Sequence, residues 1–92
     1  MINKWGNPIE KEIRRRIKIS VWAYAYEMKN DSLVSDQQFD DECDKIDIMI
    51  RTGNKKLDGF FRKNFDSFTG QWIYEHPELA GIKKIYKKHY EL

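Results

Sequence analysis

With one cysteine, Cys43, the 92-residue chain has no means of forming an intramolecular disulfide. That scarcity fits a reducing compartment. No apolar run approaches the ~20 residues needed to span a bilayer, and no apolar leader opens the chain. A soluble cytoplasmic protein with no membrane contact is expected. The two histidines, His76 and His89, are too isolated for a zinc site. There is no glycine-rich phosphate loop and no Ser/His/Asp or Cys/His grouping. No segment alternates with β-branched enrichment, so strands are not expected. These absences argue against an enzyme, and no catalytic residue, metal or cofactor is expected.

Charge and aromatic rings are plentiful. Charged residues make up 35% of the chain and aromatics 14%, too aromatic for a disordered segment. A chain of this length is one small domain, residues 1–92, that buries only about 60–65% of its unfolded surface. The net charge of +2 conceals strong segregation. Residues 1–29 carry seven Lys/Arg against three Glu, whereas residues 30–50 carry seven acids against Lys45 alone. The whole-molecule charge predicts no particular partner, whereas the segregated charge supplies faces that suit one.

Helix signals are dense. Asn7, Pro8 and Glu10 form a helix start. Ile9, Ile13, Ile17, Val21, Tyr24 and Met28 then recur at three- or four-residue spacing. This predicts a first helix ending near Lys29, followed by an Asn30-Asp31-Ser32 turn. Ser35 with Gln38 is a capping box for a second helix, with Phe39, Cys43, Ile46 and Ile50 as its apolar stripe. Asn54 caps a third, short helix carrying Leu57, Phe60 and Phe61. Phe65 and Phe68 flank a loop closed by Gly70. Trp72, Ile73 and Tyr74 form a short apolar segment, and Pro77 opens a last helix with Leu79, Ile82, Ile85, Tyr86 and His89. The expected fold is an all-α compact bundle of four to five helices. It divides into a helical hairpin at 9–50 and, at 51–92, short helices with a basic C-terminal one.

The stretch YAYEMKNDSLVSDQQFD, residues 24–40, resembles the N-terminal helical subdomain of bacterial NAD-dependent DNA ligases. There a helix ends in Tyr-x-Tyr-His, and a short turn leads to a Ser/Pro-Asp-x-x-Tyr-Asp helix start. The match runs without a gap from Tyr24 to Asp40, and with its flanking helices covers roughly 9–50. The chain also looks like small ligase-related proteins of bacteriophages, to which FTGQWIYEHPEL is suited. The ligase subdomain grips the nicotinamide mononucleotide half of NAD. The resemblance therefore implies Tyr26, Glu27, Asp36, Phe39 and Asp40 as ligand-binding positions. Glu27 stands where the family has His, and Phe39 where it has Tyr. An aromatic face suits a pyridinium ring, and carboxylates accept from ribose hydroxyls. The same residues also admit a scaffold role: Tyr26 and Phe39 as core, Asp36 on the helix dipole, and Asp40 in solvent.

Lys56-Leu57-Asp58-Gly59 is similar to the Lys-x-Asp-Gly nucleotidyl-transfer motif of ligases. Only 33 residues follow it, without a strand pattern to build a nucleotide pocket. A helix with Lys56 exposed and Leu57 buried is expected instead. Asp36, Asp40, Asp41, Asp44 and Asp47 make an acidic, solvated face. Arg14, Arg15 and Arg16, and Lys83, Lys84, Lys87 and Lys88, form two basic runs. Of these, Arg14, Arg15, Lys83, Lys84 and Lys87 are the candidate contacts to a partner or nucleic acid.

The sequence thus predicts a non-catalytic, phage- or prophage-encoded binding module. Its hairpin would dock a protein partner or a nucleotide-like ligand. Two alternatives use the charged helices. One is an inhibitor of a host defence complex, of anti-CRISPR type, acting through the acidic helix. The other is a nucleic-acid accessory protein.

Overall fold

Four α-helices and one 3-10 turn arise from these signals in a computed structural model, which describes residues 7–89. They run α1 (Pro8–Lys29), α2 (Asp36–Asp44), α3 (Lys55–Asn64), a 3-10 turn (Gln71–Glu75) and α4 (Leu79–His89). No strand is present among the described residues. No helix there is long and apolar enough to cross a membrane.

Helix α1 is the spine, about 33 Å long at 1.5 Å per residue. The side chain of Asn7 accepts from the N–H of Glu10 at 2.8 Å, and Pro8 occupies the first turn. The helix stops at Asn30, whose left-handed φ of 52° turns its N–H back to the Ala25 carbonyl. The expected isoleucine stripe is only partly buried. Ile9 and Ile17 remain 43% and 39% exposed, while Glu12, Arg16, Ile19, Ser20 and Ala23 face inward. The inward series also follows helical spacing, so periodicity alone does not choose between the two. Polar partners supplied from further along the chain select it.

Those partners come from α3 and from the irregular segment 45–54. Arg16 donates from Nε to Glu12 at 2.6 Å and from Nη1 to Asp58 at 2.9 Å. Its Nη2 donates to the carbonyls of Asp47 (2.9 Å) and Ile50 (3.2 Å). The Asp47 N–H donates to the Glu12 carboxylate at 3.2 Å. Thr52 donates to Asp58 from its N–H (2.9 Å) and hydroxyl (2.6 Å). Backbone groups that a helix would have paired internally are thus paired by side chains. Accordingly α2 ends at Asp44, not near Ile50. Gly53, at φ 93°, then turns the chain into the Asn54 cap of α3.

The apolar core is largely aromatic. Phe61 packs on Phe60, Trp72 and Phe65 with ring centroids 5.3, 5.7 and 5.7 Å away. Tyr24 meets Tyr86 edge-on at 5.4 Å, joining α1 to α4. The Tyr86 hydroxyl donates to Asp31 at 2.8 Å and so fixes the connection between α1 and α2. The Trp72 indole donates to the Thr69 carbonyl at 2.7 Å, holding the loop before the 3-10 turn.

Candidate functional site

The end of α1 and the start of α2 diverge around a cleft of about 320 Å³. One wall is Trp22, Ala23, Tyr26 and Glu27 from α1. The opposite wall is Asp36, Phe39 and Asp40 from α2, with Ser32 to Ser35 crossing between them. All five residues implied by the ligase-like pattern therefore line one cavity. Tyr26 is 57% exposed, so it presents its ring to the opening and is not core. Phe39 and Glu27 are half-buried, and Asp36 and Asp40 are exposed.

Local chemistry sets these positions. Ser35 Oγ accepts the Gln38 N–H at 3.1 Å, and the Gln38 side chain accepts the Ser35 N–H at 3.1 Å. This reciprocal box starts α2 one residue before Asp36. Asp36 and Asp40 then project from successive turns. The carbonyl of Glu27 accepts the Tyr74 hydroxyl at 3.0 Å, tying α1 to the 3-10 turn.

A third wall comes from Phe68, Thr69 and Gly70. Gly70 lies so close that an added Cβ would sit 3.3 Å from Ala23 Cβ and 3.6 Å from the Phe39 ring. Asp66 accepts the N–H of Phe68 at 2.9 Å and shapes the loop. Phe68 itself is 93% exposed. The sequence marked this loop by its glycine, but no local pattern places it against Ala23 and Phe39. Phe68 and Thr69 are thus cleft-lining residues that sequence reasoning missed.

The lining is acidic and aromatic. It contains Glu27, Asp36 and Asp40, the rings of Trp22, Tyr26, Phe39 and Phe68, and no lysine or arginine. Such a site attracts a cationic ring and offers acceptors to hydroxyls. It offers no side-chain cation to a phosphate.

The remaining candidates do not join it. Arg15 turns to α2, donating to the Lys45 carbonyl at 3.4 Å with Nε 4.0 Å from Glu42. Glu42 also pairs with Lys18 (2.6 Å) and Lys45 (3.2 Å). Its partial burial favours the protonated acid, but the two lysines prevail and hold its carboxyl below the usual range. Arg14 is exposed, as are Lys83, Lys84, Lys87 and Lys88 on α4. Lys56 is exposed with Nζ 3.9 Å from Glu78, and it lines no part of the cleft. Asp58 of the same tetrad is buried against Arg16, and Leu57 is half-buried. No group of three or more His, Cys, Asp or Glu among the described residues is placed to hold a metal ion.

Cys43 is 1% exposed. Burial pushes its thiol up to about 12, and Asp40, Asp44 and Glu42 add to the effect. The folded protein should therefore resist iodoacetamide at mildly alkaline pH, whereas the urea-unfolded chain should be alkylated fully. Intact-mass spectrometry checks this, and rapid labelling of the folded chain would contradict the burial.

No family model, curated protein or solved structure matches the chain.

Proposed function

We propose that the chain is a non-catalytic binding module whose hairpin cleft seats a nicotinamide riboside group. The observation that carries this reading is the convergence of Tyr26, Glu27, Asp36, Phe39 and Asp40 on one cleft. Tyr26 and Phe39 offer faces to the pyridinium ring, and three carboxylates balance its charge and accept from the ribose. The two departures from the ligase pattern differ in effect. Glu27 adds a negative charge where the family has an imidazole, and Phe39 keeps a ring without its hydroxyl. With no basic residue in the lining, the phosphate of a mononucleotide is left to solvent.

Titration of nicotinamide riboside should quench Trp22, which lines the cleft. Nicotinamide mononucleotide should bind no more tightly. Asp36→Ala should weaken the riboside by about tenfold, the scale of one lost hydrogen bond to a charged group. A flat fluorescence titration up to millimolar riboside, with no shift of cleft resonances, would remove this reading.

A second reading rests on α2. Asp36, Asp40, Asp41 and Asp44 lie exposed within one half of its surface. This arrangement suits a basic protein partner, as an inhibitor that occupies a nucleic-acid site requires. Pull-down from host lysate should then return a stoichiometric complex that dissociates at high salt.

A further inference from the structure

On the far side of α1, a groove of about 340 Å³ runs between α1, α3 and α4. Its walls include Ile13, Ile17, Leu57, Phe61, Ile82 and Ile85. Two features separate it from an ordinary gap between helices.

The first is His76, which lines the groove while only 8% exposed. Its Nδ1 accepts the N–H of Glu78 at 3.0 Å. An imidazole that accepts at Nδ1 is neutral and carries its proton on Nε2. Phe60 and Phe61 flank the ring at 5.0 and 6.3 Å and offer Nε2–H no oxygen acceptor. Among the described residues Nε2–H has no hydrogen-bond partner, yet no buried side-chain nitrogen or oxygen is left unsatisfied. The donor therefore keeps some exposure, and the groove is the cavity that His76 lines. A lone N–H in apolar surroundings gains most from an acceptor delivered with an apolar body.

The second is Gly81, also in the lining. A Cβ built there meets nothing within 4 Å. This glycine meets no backbone demand for positive φ, and it lowers helix propensity in α4. Its effect on the groove is to keep one wall low.

Charge narrows the occupant further. Arg16 also lines the groove, but Glu12 and Asp58 hold its charge, and Glu78 in the lining lies 3.9 Å from the Lys56 ammonium. These charges are paired among themselves, so the groove calls for no ion of either sign, and a cation without an acceptor leaves the Nε2–H unanswered.

We propose that this groove is a second binding site, for an uncharged, largely apolar molecule that seats one hydrogen-bond acceptor on His76 Nε2. Aryl ketones and aryl amides represent the class. The site is independent of the hairpin cleft.

Acetophenone and ethylbenzene differ by the carbonyl and make the test. Acetophenone, titrated into the full chain, should shift the methyl resonances of Ile13, Ile17, Ile82 and Ile85 saturably. Ethylbenzene should bind about tenfold more weakly, the scale of one hydrogen bond. Gly81→Leu, which favours the helix and fills the low wall, should abolish both responses while thermal melting holds or improves. Three results would overturn the proposal. They are no saturable shift at millimolar acetophenone, equal affinity for ethylbenzene, and unchanged binding by a folded Gly81→Leu. The ligand pair needs no variant, so the comparison stands however Gly81→Leu behaves.

Discussion

Arg16→Met should cost about 3–5 kcal/mol, the usual loss when one partner of a buried ion network is removed. A domain of this size is stabilised by only about 5–15 kcal/mol, so the variant should be unfolded or close to it. At ~4–8 °C per kcal/mol, its melting temperature should fall by at least about 12 °C. The reason is the number of groups orphaned at once. Glu12 is 1% exposed and Asp58 3%, and both lose their cation. The carbonyls of Asp47 and Ile50 lose their donor. The guanidinium also packs on the Phe61 ring, 4.9 Å from its centroid, so part of the loss is contact area. Arg14→Met, at an exposed position two residues away, should change stability by no more than about 0.5 kcal/mol. Urea unfolding of the two variants decides it. A loss below about 1 kcal/mol for Arg16→Met would mean that the network adds nothing net.

Acid should destabilise the protein before its carboxylates titrate, and His76 is the cause. Burial lowers its pKa from 6.5 to about 4, against the opposing pull of Glu78. The unfolded chain binds this proton below pH 6.5, and the folded chain only near pH 4. The contribution is therefore complete above 6.5 and is lost progressively as pH falls toward 4. Its slope approaches ~1.4 kcal/mol per pH unit, and the whole window is worth about 3 kcal/mol. Asp58 belongs to a lower window. Burial alone would raise its carboxyl, but Thr52 and Arg16 outweigh burial and hold it below its usual range. Its contribution is lost only as pH falls through that depressed value. Urea midpoints at about pH 7.5, 5.5 and 4.5 should fall for the natural protein and stay nearly level for His76→Gln. Parallel curves would show that His76 is not the titrating group.

What the sequence made legible was local. The caps at Asn7, Ser35 and Asn54, the turn at Asn30 and the all-α fold follow from contacts three or four residues long. The five cleft positions were legible through a hairpin pattern that runs without interruption from Tyr24 to Asp40. The inward face of α1 was not legible. Glu12 and Arg16 read as ordinary surface charges until Asp58, 42 residues beyond Arg16, comes to meet them. The early end of α2 has the same origin, because Ile46 and Ile50 continue the helical spacing while the backbone at Lys45, Asp47 and Ile50 is claimed by α1 and that of Thr52 by α3. The third wall of the cleft and the apolar groove were invisible for a related reason. Each is built where segments distant in sequence meet.

The buried network also bears on transplantation. Residues 24–40 contain the whole ligase-like pattern, which invites excision of the hairpin as a portable recognition element. Yet a fragment cut at the ends of α1 and α2, residues 8–44, would leave Arg16 without Asp58, Asp47 or Ile50. The cleft would lose the wall held by Gly70, and Asp31 would lose Tyr86. A grafted 8–44 fragment would carry the five ligase-pattern positions and not the means to hold them in place. In this chain the cleft and the scaffold that shapes it form a single heritable unit, and the smallest transferable piece is close to the entire domain.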